Sequence, residues 1–199
     1  MIVYHGSSAL FDRFDQSHAG EGTGYGKYGW GVYVTERYAT AAHYAGKRKS
    51  EGKNTFYVYT FEIPDRTPDN CLSLLKRIPV LNSIIERTQK KLGETVPKEA
   101  TAEGIPFRKW LANKLIGNIK TISQMTKKST IEGEQAASEF LLGIGLELIE
   151  WPVDWGKPDG EKNMTVLSDS KVRILRIEKV ELDKKDHLIE GSQKLVKEF

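Results

Sequence analysis

A few residues in this sequence combine a type that could carry chemistry with a suggestive position: a histidine, two tyrosines, a carboxylate and a carboxamide. His5 begins a His-Gly-Ser turn near the amino terminus, Tyr33 follows a glycine-rich stretch, and Tyr44 lies in an Ala-rich stretch. Glu161 and Asn163 come late in the chain, two positions apart, so on a strand they point to the same face. There the carboxylate could supply a negative charge and the amide a hydrogen bond. Taken singly, each residue also has an ordinary explanation in packing or surface solvation.

The stretch 20–46 must position the two tyrosines. It opens with six glycines, at positions 20, 22, 24, 26, 29 and 31. Such density suits backbone that bends sharply or approaches a ligand closely. The alternation of Trp30, Val32 and Val34 predicts a short strand, and Thr35 is the expected N-cap of a helix over about 36–47. Three of the glycines also match the spacing of a dinucleotide loop, but a strand and not a helix follows, so we take that match as incidental.

The rest of the chain predicts strands at both ends with helices between them. Alternation predicts a strand over 2–5 and another over 54–63, whereas 69–128 has helical spacing. Ser129 and Glu132 form a capping-box pair for a helix that ends at Leu142 and is closed by Gly143. Strand character returns at 146–151, 163–167 and 172–182, and from Asp183 onward the chain is polar and expected to fray. The pattern is that of a mixed α+β protein.

Composition sets further bounds. The 199 residues can bury one core, or one core with an insertion. The single cysteine, Cys71, excludes an internal disulfide framework and fits a reducing compartment. No apolar run approaches the roughly 18 residues of a membrane span. We therefore expect no membrane partner and action in a cytoplasm, that of the producing cell or of a cell into which the protein is delivered.

The charge is unevenly distributed. The net charge is +3, yet residues 76–128 carry twelve Lys or Arg against four Glu. Such asymmetry is typical of a surface that meets an acidic partner. A solvated helical face rich in lysine explains it at least as well.

In combination, the motifs resemble the ADP-ribosyltransferase superfamily. They are His-Gly-Ser after a first strand, then Tyr-Gly-Trp-Gly-Val-Tyr at 28–33, then Ala-Ala-His-Tyr at 41–44. The resemblance is to the branch typified by diphtheria toxin and the poly(ADP-ribose) polymerases, which has a His-Tyr-Glu triad. It is strongest to the transferase-like domains of phage polyvalent and head-associated proteins. It covers 2–46 well and 136–181 moderately, and leaves the middle helices unmatched.

The resemblance implies a fold and an organisation. We expect two small antiparallel sheets that flank an NAD cleft, within a single transferase-like domain over 1–182. A basic, mostly helical insertion is expected at about 69–135, followed by a polar tail over 183–199.

The resemblance also implies roles for individual residues, with NAD as the substrate that they bind. His5 matches the histidine that bonds a ribose hydroxyl on the adenosine side, and Gly6, followed by Ser7, matches the glycine whose backbone holds the nicotinamide carboxamide. Tyr33 and Tyr44 match the tyrosines that sandwich the nicotinamide ring. Ala41 stands where the polymerases have a serine that supports the carboxamide. No metal is implied.

One triad position departs from the family. The final strands align Asn163 with the catalytic glutamate, which stabilises the oxocarbenium-like transition state. Asn163 can bond the ribose 2′-hydroxyl but carries no charge. Glu161 can supply that charge, or it is simply an exposed loop residue; Asp159 is a weaker candidate.

Three functions follow, in order of preference. The first is a mono-ADP-ribosyltransferase that modifies a protein or nucleic-acid acceptor, with possible NAD glycohydrolase activity. The second is a module that binds NAD or ADP-ribose without turnover, favoured by Asn163 and Ala41. The third is a nucleic-acid-binding protein that uses the basic helices.

Overall fold

The computed structural model describes residues 1–14, 26–47, 52, 54–118 and 129–199. This part of the chain forms a mixed α+β fold, as predicted, with eight strands and five α-helices. In chain order they are β1 (Ile2–Ser7), β2 (Val32–Thr35), α1 (Tyr38–Gly46), β3 (Phe56–Glu62), β4 (Cys71–Ser73), α2 (Asn82–Leu92), α3 (Lys98–Thr101), α4 (Gly104–Leu115), α5 (Ile131–Leu142), β5 (Leu148–Pro152), β6 (Lys162–Val166), β7 (Arg173–Val180) and β8 (Lys194–Glu198).

The strands form one sheet, which corrects the expectation of two. Its order is β4-β5-β6-β2-β1-β3-β7-β8, with β4 and β5 parallel and the other neighbours antiparallel. The two four-stranded halves nevertheless meet at a narrow join, because β1 and β2 are in register at one position, Tyr4 opposite Thr35. By contrast, β1 and β3 are in register over six positions, from Ile2 opposite Glu62 to Ser7 opposite Tyr57.

Both faces of the sheet are covered by packed side chains. On one face, side chains from both halves share a core that includes Val3, Val34, Phe61 and Met164. On the other face, α1 packs its small residues against β1, β3 and β7, while α2, α4 and α5 cover the half that contains β5. Alternation along each strand therefore decides which layer a side chain enters.

Helix α1 lies unusually close to β1. A Cβ atom built on Gly6 would lie 1.8 Å from the carbonyl oxygen of Ala41 and 2.9 Å from the backbone nitrogen of Ala45. Only glycine allows this approach, because any side chain at position 6 would occupy the space of the helix backbone.

Three local predictions need correction. The segment 69–128 is not wholly helical, because it contains β4, which pairs with β5 and is too short to show alternation. Helix α1 follows Arg37 as its N-cap rather than Thr35. Helix α5 is capped by Thr130, whose hydroxyl oxygen accepts from the backbone N–H of Gly133 at 3.1 Å, rather than by a Ser129–Glu132 box.

The carboxyl-terminal segment is polar, as predicted, but its last residues do not fray. They form β8, which pairs with β7 from Arg176 opposite Glu198 to Lys179 opposite Lys194. Lys197 also forms an ion pair with Asp12 at 3.0 Å, in the loop after β1. Within the described ranges, no helix has the length and apolarity to cross a membrane.

We predict that Gly6→Ala lowers the free energy of unfolding by about 2–3 kcal/mol, because the new methyl group must displace α1. Urea denaturation measures this effect. The control is Gly156→Ala, because Gly156 is exposed and its Cβ would lie 3.3 Å from the exposed carboxylate of Asp154. Equal stability of the two variants would contradict the close packing of α1 on β1.

Candidate functional site

The sheet opens where β1 and β2 separate. Met1 and Ile63 exchange two backbone hydrogen bonds, of 2.6 and 3.0 Å. The odd-numbered residues of β1 therefore direct their backbone groups toward β3. Residues alternate along an antiparallel pair, so the even positions of β1 direct their N–H and C=O groups toward β2. Beyond the one register position at Tyr4, the backbone edge of Gly6 therefore faces the opening.

His5 bridges this opening. Its Nδ1 lies 2.7 Å from the backbone carbonyl oxygen of Tyr33. A carbonyl only accepts, so Nδ1 carries the proton, and in the neutral ring Nε2 is left as an acceptor. Burial lowers the pKa of His5, and the bond to Tyr33 opposes this effect only in part, so the ring is neutral.

Aromatic rings enclose the His5 side chain, which leaves the sheet on the same face as Val3. Phe61 stacks on the imidazole with ring centres 5.8 Å apart, and Phe14 meets it edge-on at 5.6 Å. Tyr59 holds the loop after β1 over this group, because its hydroxyl accepts from the N–H of Phe11 at 2.8 Å and donates to Ala9 O at 2.9 Å.

Asn163 and Tyr44 meet on the other face of the sheet. Asn163, in β6, lies opposite Thr35 of β2 and is 3% exposed. Its Nδ2 donates to the Tyr44 hydroxyl at 3.4 Å, and its Oδ1 has no hydrogen-bond partner among the described residues. Burial raises the pKa of Tyr44, so that hydroxyl stays protonated. An unsatisfied buried acceptor is costly, and a ligand that donates to it would remove the cost.

The Tyr33 side chain mainly holds in place the turn formed by the glycine-rich residues 26–31. Its hydroxyl donates to Gly29 O at 2.9 Å and accepts from the N–H of Tyr28 at 3.0 Å, while burial raises its pKa. Its ring meets Trp151 edge-on at 5.6 Å, and Trp151 stacks on Tyr28 at 4.4 Å. A ring pair of Tyr33 with Tyr44 is not among the aromatic contacts of the described residues, so the sandwich around a nicotinamide stays a prediction.

The glycine turn, defined here as 26–31, is fastened by side chains that sequence reasoning missed. Thr165 donates to Tyr28 O at 3.0 Å, and the N–H of Trp30 donates to Ser138 Oγ at 2.8 Å. Arg108 of α4 donates through one guanidinium nitrogen to Lys27 O. Gly31 has a φ of 158° and no room for a side chain, because a Cβ there would lie 2.2 Å from Val166 O.

Arg108 also forms a buried ion pair with Glu134 of α5. Burial lowers the pKa of Arg108 to about 10, which leaves it cationic at neutral pH. Ser129, the residue expected in a capping box, donates its hydroxyl to Glu134. One signal in the sequence marked this site: Arg108 is a charged residue inside the apolar stripe of α4, next to Phe107.

The remaining predicted residues lie at the end of β1, on α1 and just before β6. Ser7 ends β1, and its hydroxyl accepts from the N–H of Ala9 at 3.0 Å. Ala41 is buried beneath Gly6. Glu161 directly precedes β6 and, by alternation, shares the face of Asn163, but its side chain is 49% exposed and pairs with Arg37 at 3.6 Å. Asp159 lies exposed in the preceding loop.

The structure thus groups the predicted residues into two pairs. His5 contacts the backbone of Tyr33, and Asn163 contacts Tyr44. The side chains of His5 and Asn163 leave opposite faces of the sheet, so they do not line one pocket on a single face, which corrects the arrangement that their matched roles at one NAD cleft implied. No group of three metal-ligating side chains was found within the described ranges.

Residues 1–79 match the model of a family described as "Protein of unknown function (DUF3990)". The match includes His5, Gly6, Tyr33 and Tyr44, and ends before Asn163 and Glu161. Neither the curated proteins nor the solved structures contain a match to the chain.

The burial of a neutral His5 predicts a pH dependence of stability. Its ordinary pKa is 6.5 and its folded pKa is lower, so the unfolded chain gains a proton first as the pH falls. The stabilisation that the neutral His5 provides is complete above pH 6.5 and is lost as the pH falls from 6.5 toward the pKa of His5 in the folded protein. One such proton contributes a slope of at most about 1.4 kcal/mol per pH unit.

We predict that His5→Gln removes this component from the free energy of unfolding, measured by urea denaturation at several pH values below 6.5. His43→Gln is the control, because it removes a histidine of α1 and leaves His5 in β1 unchanged. A wild-type slope that survives in His5→Gln would show that other groups cause it.

Proposed function

We propose that the protein is an NAD-dependent mono-ADP-ribosyltransferase whose substrate enters the opening between β1 and β2. One observation supports the proposal: the unsatisfied Oδ1 of Asn163, buried beside Tyr44. The resemblance to the ADP-ribosyltransferase superfamily aligns Asn163 with that superfamily's catalytic glutamate. A ribose hydroxyl is a donor of the kind that this acceptor lacks.

Two groups at the opening suit a nicotinamide. A carboxamide offers one acceptor and one donor side, and the backbone N–H and C=O of Gly6 complement both. The absence of a side chain on Gly6 permits the approach. Tyr44 is 40% exposed, which leaves part of its ring available to stack on a flat heterocycle.

The chemistry itself belongs to NAD. The bond between nicotinamide and C1′ breaks, its electron pair leaves with nicotinamide, and a nucleophile of the acceptor forms a bond to C1′ and releases a proton. Water in the place of that nucleophile gives NAD glycohydrolase activity. The protein orients the ribose through Asn163 and holds the leaving group near Gly6 and Tyr44. Glu161, on the Asn163 face, is the nearest candidate in sequence for a stabilising charge.

A second function, NAD or ADP-ribose binding without turnover, is favoured by the same residue. Asn163 supplies no charge, and the carboxylate of Glu161 is exposed and shared with Arg37. Electrostatic stabilisation is weaker in such a setting than in a water-excluded one. Poly(ADP-ribose) synthesis is not proposed, because elongation of the ADP-ribose chain in the ADP-ribosyltransferase superfamily depends on the glutamate that Asn163 replaces.

Nucleic-acid binding through the basic segment has less support. Two of its arginines already have partners: Arg87 donates to the carbonyls of Ser83, Ile144 and Asp69 at 2.8 to 3.1 Å, and Arg108 is buried. They are not available to neutralise phosphates. An acidic partner for the other basic residues stays a prediction.

We predict that Tyr44→Ala weakens NAD binding by about 1 kcal/mol or more, roughly fivefold, through lost stacking. Tyr44→Phe keeps the ring and loses the hydroxyl, so it should bind NAD nearly as the wild type does. Calorimetric titration measures both variants. Equal affinities for the alanine variant and the wild type would contradict stacking at this position.

We predict that the wild type releases nicotinamide from NAD in the presence of cell lysate as the acceptor, and that Glu161→Gln lowers the rate about a hundredfold. Affinity should change little, because the charge acts mainly in the transition state. Glu181→Gln is the control, an exposed carboxylate paired with Lys194. Full activity in Glu161→Gln would place the charge elsewhere, and a wild type that binds NAD without releasing nicotinamide would favour the binding module.

A further inference from the structure

The Arg108 side chain joins the helical insertion to the glycine turn. Arg108 is 1% exposed in α4, and its two terminal nitrogens have different partners. One meets the carboxylate of Glu134 in α5, and the other donates to the backbone carbonyl of Lys27. Its Nε has no partner within the described part of the chain. The guanidinium is thus a three-way junction of α4, α5 and the turn 26–31.

Packing alone does not require this junction. Buried ion pairs are costly to desolvate, and well-packed apolar residues of similar volume often replace them without loss of stability. Apolar residues cannot donate to the Lys27 carbonyl. The contribution that is particular to Arg108 is therefore the bond to the turn.

The residues that follow Lys27 connect it to the opening through a series of hydrogen bonds. Tyr28 follows directly, and its N–H donates to the Tyr33 hydroxyl, which in turn donates to Gly29 O. The carbonyl of Tyr33 is the group that His5 holds across the opening. A shift of the turn would therefore move the Tyr33 side chain and strain the His5 bond.

We infer that Arg108 is a positioning residue: the insertion, through Arg108 and the Lys27 carbonyl, fixes the glycine turn and hence the width of the opening between β1 and β2. The junction lies outside the part of the chain that matches the family model, except for the turn itself. That the ligand concerned is NAD rests on the proposed function.

The test uses the double variant Arg108→Met/Glu134→Met in the full chain. It removes both charges together, so neither is left buried and unpaired, and it removes the donor to Lys27 O. Amide hydrogen exchange at Tyr28, Gly29 and Trp30 should become at least tenfold faster, while exchange in α5 and β6 stays within twofold of the wild type. The KM for NAD should rise about tenfold, with kcat within twofold.

The control is Glu62→Gln/Arg173→Gln, which removes an exposed ion pair between β3 and β7. It should change neither exchange in the turn nor KM. If the double variant does not fold, Arg108→Lys carries the same test, because it keeps a cation beside Glu134 but offers one nitrogen where arginine uses two.

Unchanged exchange in the turn would overturn the inference, and so would faster exchange with an unchanged KM. If the wild type neither binds NAD nor releases nicotinamide, the proposed function fails, and hydrogen exchange alone decides whether Arg108 holds the turn. Faster exchange confined to the turn would then still support the junction.

Discussion

The hydrogen bond from His5 to the Tyr33 carbonyl holds two strands together at the point where their ladder ends. An antiparallel pair normally satisfies its own backbone groups, and a gap leaves them exposed to whatever enters. Here one side-chain bond of 2.7 Å replaces the ladder beyond Tyr4. The strands stay close enough to define an opening, while the backbone edge of Gly6 still faces it. Because burial keeps His5 neutral, the bond does not place a positive charge at this position.

The candidate residues come from both ends of the sequence. His5, Gly6, Tyr33 and Tyr44 come from the first 46 residues, but Asn163 and the supports of the glycine turn come from beyond residue 79. Ser138 and Thr165 bond the backbone of the turn from α5 and β6. The middle helices are thus part of the architecture of the site, and not only an insertion beside it.

Most of the fold was predictable from local pattern, and the exceptions have physical causes. Strands β1, β3 and β7 and helices α1 and α5 follow alternation or helical spacing closely. The three residues of β4 are too few to alternate, and β8 is exposed along its whole length, so neither leaves a hydrophobic signal. The continuity of the sheet depends on a single register position, which no local pattern encodes.

The sequence predicted candidate residues for a site but not their arrangement. Resemblance identified Asn163, whereas its unsatisfied oxygen depends on what surrounds it in three dimensions. Strand alternation could have indicated that His5 and Asn163 leave opposite faces only once the register of β1, β2 and β6 was known. Arg108 was visible as a charge in an apolar stripe, but its partners, Glu134 and the Lys27 carbonyl, lie 26 and 81 residues away.

The most direct test of the opening as the NAD site is a ¹H–¹⁵N NMR titration with carba-NAD, in which a carbocycle replaces the nicotinamide ribose so that the bond to nicotinamide is not cleaved. We predict that the NMR signals of the Gly6 backbone amide and the Asn163 side-chain amide shift together and saturate at the same ligand concentration, while the amide signals of β8 stay unchanged. Shifts that cluster away from both residues, or none at saturating ligand, would contradict it.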